Sequence, residues 1–90
     1  EPGYYEENRY GIRIENLVEI TDAAPELRAG YLKFKNLTLI PIDKRLINKY
    51  LLNDGEIDWL NNYHRQVEEA LSPYLTAAER NWLQEACSPL

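Results

Sequence analysis

The 90 residues contain no methionine, one cysteine, one histidine and one phenylalanine. A lone Cys87 excludes an internal disulfide framework and fits a reducing compartment. Its ordinary role is that of a small, partly buried side chain near a helix end, not a nucleophile. With no methionine there is no initiator, so the chain reads as a piece of a longer protein. No run approaches the roughly 18 apolar residues that a membrane-spanning helix needs, and no charged segment followed by an apolar block opens the sequence. Basic residues are also scarce. Ten Lys and Arg stand against 15 Asp and Glu, giving a net charge of −5 with no basic cluster, a balance that repels phosphate backbones and argues against nucleic-acid binding. Internal repeats and low-complexity tracts are missing as well.

What is present suits one small globular unit. Hydrophobic residues make up 44% and aromatics 11% of the chain, too many for disorder. A chain this short buries only about 60% of the surface its unfolded form exposes, so marginal stability is expected.

The opening residues organise the rest. From Gly11 to Ile20, apolar Ile12, Ile14, Val18 and Ile20 recur at the two-residue period of a β-strand. Arg13 and Glu15 share the opposite face, roughly 6–7 Å apart along a strand, close enough for the guanidinium to hold the carboxylate. Glu1 precedes Pro2-Gly3, a pair suited to a sharp turn that aims the carboxylate. Two glutamates fourteen positions apart, one on a turn and one in a strand, suit a hard or borderline cation such as magnesium, manganese or zinc if they converge. Spacing by itself favours the plainer reading, a solvated charged face.

Residues 21–30 have the composition of a connection. Residues 31–42 give a second strand whose apolar alternation shifts at Asn36, which predicts a bulge or bend there, and Pro41 closes it. The two strands are expected to pair antiparallel. Residues 43–53 read as one irregular or helical turn. Asn53 with Glu56 three positions on forms a capping box, and the helix it opens should run from about Asp54 to Leu71. Ile57, Leu60, His64, Val67, Leu71 and Tyr74 follow at spacings of three and four and form one apolar stripe. Pro73 ends or bends this helix, and Thr76 with Glu79 restarts it, with Leu75, Ala78, Trp82, Leu83 and Ala86 as a second apolar face.

His64 lies on the stripe and is expected to be hydrogen-bonded packing, not a ligand. Trp59 and Trp82 are expected in core or inter-helix packing. Tyr4, Tyr5 and Tyr10 suit half-buried strand ends. The acidic pairs Glu6-Glu7 and Glu68-Glu69 read as solvated charge.

Four segments in order, EPGYYE, GIRIEN, LTLIPID and WLNNYH, resemble the C-terminal end of aminopeptidase P, the Xaa-Pro aminopeptidase of the pita-bread metallopeptidases. The similarity covers essentially the whole chain. The resemblance implies an α+β arrangement: a small antiparallel β-strand pair from the end of a pita-bread catalytic domain (residues 1–35), then a two-helix C-terminal cap (residues 36–90). It implies a dinuclear site, with manganese the expected metal, ligated in the complete enzyme by two aspartates, a histidine and two glutamates. The two glutamates match Glu1 and Glu15, Glu1 also handling the proton of the metal-bound water and Glu15 bridging both ions. Arg13 matches a supporting arginine beside the bridge.

The remaining three ligands lie upstream of EPG in the family. Two of five ligands cannot build the coordination shell that activates water, so the chain alone is expected to be inactive. The resemblance further implies a cytoplasmic, homodimeric parent whose substrates are peptides with proline at the second position, completed by the rest of the catalytic domain. The competing class is a non-catalytic structural, dimerisation or binding module that keeps the two-glutamate strand for shape alone. Cut strand edges with apolar faces would also favour self-association.

Overall fold

The structure is a computed structural model and describes residues 3–23 and 30–90. It divides into two compact units, Glu1–Thr38 and Leu39–Leu90. Among the described residues, the strands lie in the first and the helices in the second.

In the first unit, β1 (Tyr4–Glu6) pairs antiparallel with β2 (Tyr10–Ile12), and β3 (Val18–Asp22) pairs antiparallel with β4 (Leu32–Asn36). The continuous strand expected over residues 11–20 is therefore divided. Residues 13–17 belong to no strand, because the chain changes partner there: residues before them answer to β1 and residues after them to β4. An alternating pattern reports which face a residue takes, not which neighbour it pairs with. The β1–β2 connection is closed by the Arg9 amide donating to the Glu6 carbonyl (3.0 Å), with Asn8 at φ 59°, the left-handed region that Asn tolerates better than most residues. Glu6 is not free solvated charge. Its carboxylate accepts from the Tyr4 hydroxyl (2.7 Å) and from the Arg9 guanidinium (2.5 Å).

The Tyr5 ring lies over two glycines. A Cβ on Gly11, the register partner of Tyr5, would stand 2.7 Å from Tyr5 Cδ1, and one on Gly3 would stand 2.8 Å from the Tyr5 hydroxyl. Absence of a side chain is thus a packing requirement at both positions.

Strand β4 ends at Asn36, where the alternation shifts, and residues 37–42 belong to no strand, so the strand closes earlier than Pro41. Just past the last register pair, Val18 with Asn36, the two stretches of chain are tied by four bonds, one of them from Thr38 N–H to the Leu17 carbonyl (3.4 Å). Leu37 N–H donates to the Leu17 carbonyl (2.8 Å), Leu17 N–H to Thr38 Oγ1 (2.9 Å), and Asn16 Nδ2 to Asn36 Oδ1 (3.2 Å).

In the second unit, residues 43–53 form two short 3₁₀ turns, Lys44–Leu46 and Lys49–Leu51, capped by Asp43 and Asn48. Helix α1 (Asp54–Leu71) and helix α2 (Ala77–Cys87) follow, joined by a 3₁₀ turn at Ser72–Tyr74. Both expected capping boxes are formed: Asn53 accepts from Glu56 N–H while Glu56 accepts from Asn53 N–H, and Thr76 and Glu79 do the same. Two orphan amides at each helix start are thereby satisfied.

Tyr63, Val67, Leu83 and Cys87 form the buried core, with Leu39, Ile42, Leu71 and Leu75 packed against it. Leu60 and His64 are buried too. The stripe read from sequence holds through Leu71, which packs against the core, but not at Tyr74, which is 85% exposed. It also omitted Tyr63, whose ring is buried one position off the stripe. Trp59 and Trp82 depart from expectation: they are 54% and 65% exposed. Trp59 lays one face on the Tyr63 ring (5.7 Å between centroids, 5° between planes), while Trp82 leaves the buried place on α2 to its neighbour Leu83. Tyr4, Tyr5 and Tyr10 are between 48% and 59% exposed, about half-buried as expected of strand ends.

Candidate functional site

Of the two candidate metal-ligating carboxylates, Glu1 lies outside the described residues. Glu15 sits between β2 and β3, in the stretch where the chain changes partner. Arg13 Nε lies 3.0 Å from Glu15 Oε1, and both side chains are about half exposed. The ion pair read from the sequence is therefore present, although not on a strand. Exposure keeps its net contribution to stability small. Its structural effect is orientation, because a guanidinium on one carboxylate oxygen restricts the rotamers of both side chains.

No group of three or more His, Cys, Asp or Glu side chains capable of holding a metal occurs among the described residues. Glu15 offers hard oxygen donors of the kind that suit divalent cations. One carboxylate is a ligand, not a centre, and a metal held there needs donors beyond those described here.

The single histidine is elsewhere in function as well as place. Buried on α1, His64 accepts through Nε2 from the Ile42 amide (3.0 Å). Its pKa is lowered, first by burial and then by the charge of Lys44, which keeps it neutral and structural. Beside it Tyr63 Oη donates to the Ile40 carbonyl (2.8 Å). Cys87, at the end of α2, has its thiol pKa raised by burial and then by the Glu68 charge, which makes it an unreactive packing residue. Lys44 Nζ donates to the Glu85 carbonyl (2.9 Å), to the Ser88 carbonyl (2.8 Å) and to Ser88 Oγ. That is a cation placed at the negative, C-terminal end of a helix, where the Glu85 carbonyl also accepts from Ser88 N–H (3.3 Å). Sequence reading missed this clasp, which joins residues 41–44 positions apart. No helix among the described residues is long and apolar enough to cross a membrane.

With that geometry in view, the chain was compared with known proteins. Residues 30–90 match the family described as the C-terminal region of peptidase M24. The chain belongs to that family. Over its full length it is 46% identical to aminopeptidase P2 of Arabidopsis thaliana and 43% identical to Xaa-Pro aminopeptidase app-1 of Caenorhabditis elegans, spanning 13% and 15% of those proteins. Among solved structures it matches the X-prolyl aminopeptidase of Caenorhabditis elegans, described as a cytosolic enzyme with a di-nuclear active site. The TM-score is 0.82 at 44% identity, over 99% of this chain and 15% of that one. The chain thus corresponds to the C-terminal part of an aminopeptidase P, and spans about one seventh of the relatives it matches. The paired strands followed by two helices are that region's architecture.

Proposed function

We propose that this chain is the C-terminal part of a metal-dependent Xaa-Pro aminopeptidase, and that it supplies two carboxylates, Glu1 and Glu15, to a dinuclear site whose other ligands lie upstream. The observation that carries the proposal is the end-to-end match, at 44% identity, to a structure whose enzyme has a di-nuclear active site. The Arg13–Glu15 pair supports it, since a ligating carboxylate held by a neighbouring cation is a recurrent arrangement around metals. When bound, the metal pair would supply an activated water and polarise the scissile carbonyl. The part of this chain is to present Glu15 in a fixed orientation, with Arg13 setting it, and to offer Glu1 as a second ligand and proton acceptor.

Residues 1–35 are assigned to the end of the catalytic domain and residues 36–90 to a helical cap that supports a homodimer. Manganese is the proposed metal, peptides with proline at the second position the substrates, and the cytoplasm the location.

The isolated chain should be inactive, because two of five ligands cannot build the coordination shell that activates water. Incubated with excess manganese and an Xaa-Pro peptide, it should release no free amino acid. Turnover at a rate above the manganese-only control would overturn the ligand argument. Joined to an upstream segment carrying two aspartates and a histidine, it should become active, and Glu15→Gln should abolish that activity while leaving α1 and α2 folded. An active Glu15→Gln enzyme would favour the other class, a module retained for shape.

A further inference from the structure

The segment entering the helical unit has an unusual set of hydrogen-bond partners. Across residues 40–42 only Ile40 and Ile42 carry an amide hydrogen, because Pro41 has none. Both hydrogens go to consecutive side chains of α1. Ile40 N–H reaches Tyr63 Oη (3.4 Å), whose own hydrogen returns to the Ile40 carbonyl (2.8 Å), and Ile42 N–H reaches His64 Nε2 (3.0 Å). Two side chains thus satisfy amides that no helix or strand partner meets.

The two holders differ in one respect. A phenol stays neutral across the physiological range, whereas an imidazole changes charge within it. Accepting from Ile42 requires a lone pair on Nε2, so neutral His64 carries its hydrogen on Nδ1. A second proton has to enter at Nε2, where it displaces the Ile42 bond and sets two N–H groups against each other. We propose that His64 is an acid-released latch: as the neutral imidazole it holds Ile42 against α1, and on protonation it lets that residue go while Tyr63 keeps Ile40.

The surroundings make protonation costly without preventing it. From the turn at Lys44–Leu46, the Lys44 ammonium lowers the imidazole pKa, and its three bonds to Glu85 and Ser88 stop it from swinging away. From α2 the titratable groups are Cys87, a buried neutral thiol, and Glu85, whose backbone carbonyl meets Lys44. On α1 itself, Tyr63 lies 5.9 Å from the imidazole between centroids, and Glu68, one turn on, directs its charge to Cys87. His64 Nδ1 has no hydrogen-bond partner among the described residues, so no carboxylate holds the protonated form.

The sign follows from the lowered pKa. The unfolded chain takes up the proton near pH 6.5 and the folded chain only below that. The latch therefore contributes its full stability above about pH 6.5, and that contribution is lost as the pH falls through the folded value.

Because His64 is the chain's single histidine, its ring nitrogens are read without ambiguity by nitrogen-detected NMR while the pH is lowered, alongside amide exchange of Ile40 and Ile42. The expected result is an Nδ1–H tautomer at neutral pH, and a fall of about tenfold in Ile42 protection that tracks imidazole protonation, with Ile40 changing less. His64→Gln, which keeps an acceptor, should hold Ile42 protected through the same window, and His64→Phe should leave it unprotected at every pH. Constant Ile42 protection through the histidine titration would overturn the proposal. So would an Nε2–H tautomer, the same acid transition in His64→Gln, or simultaneous loss of protection throughout both helices. The unsubstituted chain alone decides the matter if neither variant folds.

Discussion

Replacing Leu83 with alanine tests where the stability of this chain resides. Leu83 is 1% exposed and shares the core with Tyr63, Val67 and Cys87. Removing three carbons forfeits about 2.4 kcal/mol of transfer free energy at ~0.8 kcal/mol per methylene. The cavity left in a packed site raises the loss to about 3–5 kcal/mol. Domains are stabilised by roughly 0.05–0.15 kcal/mol per residue, so the helical unit Leu39–Leu90 should have only about 3–8 kcal/mol in all. Leu83→Ala should consume more than a third of that, and at the lower end all of it. The assay is urea denaturation followed by helical circular dichroism, with Trp82→Ala as its control. Trp82 is the next residue up the chain and carries the larger apolar side chain, but it is 65% exposed, so its loss should cost within about 0.5 kcal/mol. Equal destabilisation by the two variants would refute this assignment of the core, and so would a Leu83→Ala loss below about 1 kcal/mol.

Two further substitutions probe local structure. Asn53→Ala removes the acceptor for Glu56 N–H and opens the capping box, which should cost about 1 kcal/mol and fray the first turn of α1, measurable by amide exchange at Glu56 and Ile57. Gly11→Ala would set a methyl group against the Tyr5 ring, at 2.7 Å from Cδ1. It should separate β1 from β2, seen as loss of cross-strand contacts between Tyr5 and residue 11, with no change at α1 and α2.

The helices were legible in the sequence because each start is written twice, once as a cap and once as the onset of an apolar stripe. Asn53 with Glu56 and Thr76 with Glu79 mark the starts the structure has. Burial was less legible. A stripe drawn at spacings of three and four selects a line, whereas a helix lodged against a second helix and an extended segment buries a wider band, so Tyr63 joined the core and Tyr74 left it. The sheet was harder still, because pairing is non-local: nothing in GIRIENLVEI states that its first residues answer to YYE and its last to LKFKN. Of the candidate site, the Arg13–Glu15 pair was readable from adjacency on one face. The Lys44 clasp was not, because its acceptors are backbone carbonyls at the end of α2, which leave no residue-type signature.

The contrast between the two units bears on how firmly Glu15 is held. Among the described residues of Glu1–Thr38 none is buried, and Ile14, Ile20, Leu32 and Phe34 are between 62% and 74% exposed. Two-stranded pairs with both faces open are marginal in water, because ladder bonds barely offset the entropy of ordering the chain. Strands of this composition reach stability when further strands or helices cover them, as the remaining six sevenths of a relative's length would allow. In the 90-residue chain, amides of β3 and β4 should therefore exchange at least a hundredfold faster than those of Leu60 to Val67, as open hairpins do beside a packed core. Joining the upstream segment should slow them toward the helical rates. Equal protection of β3 and α1 in the isolated chain would show that the strand unit holds itself together. The position of Glu15 would then be a property of these 90 residues alone.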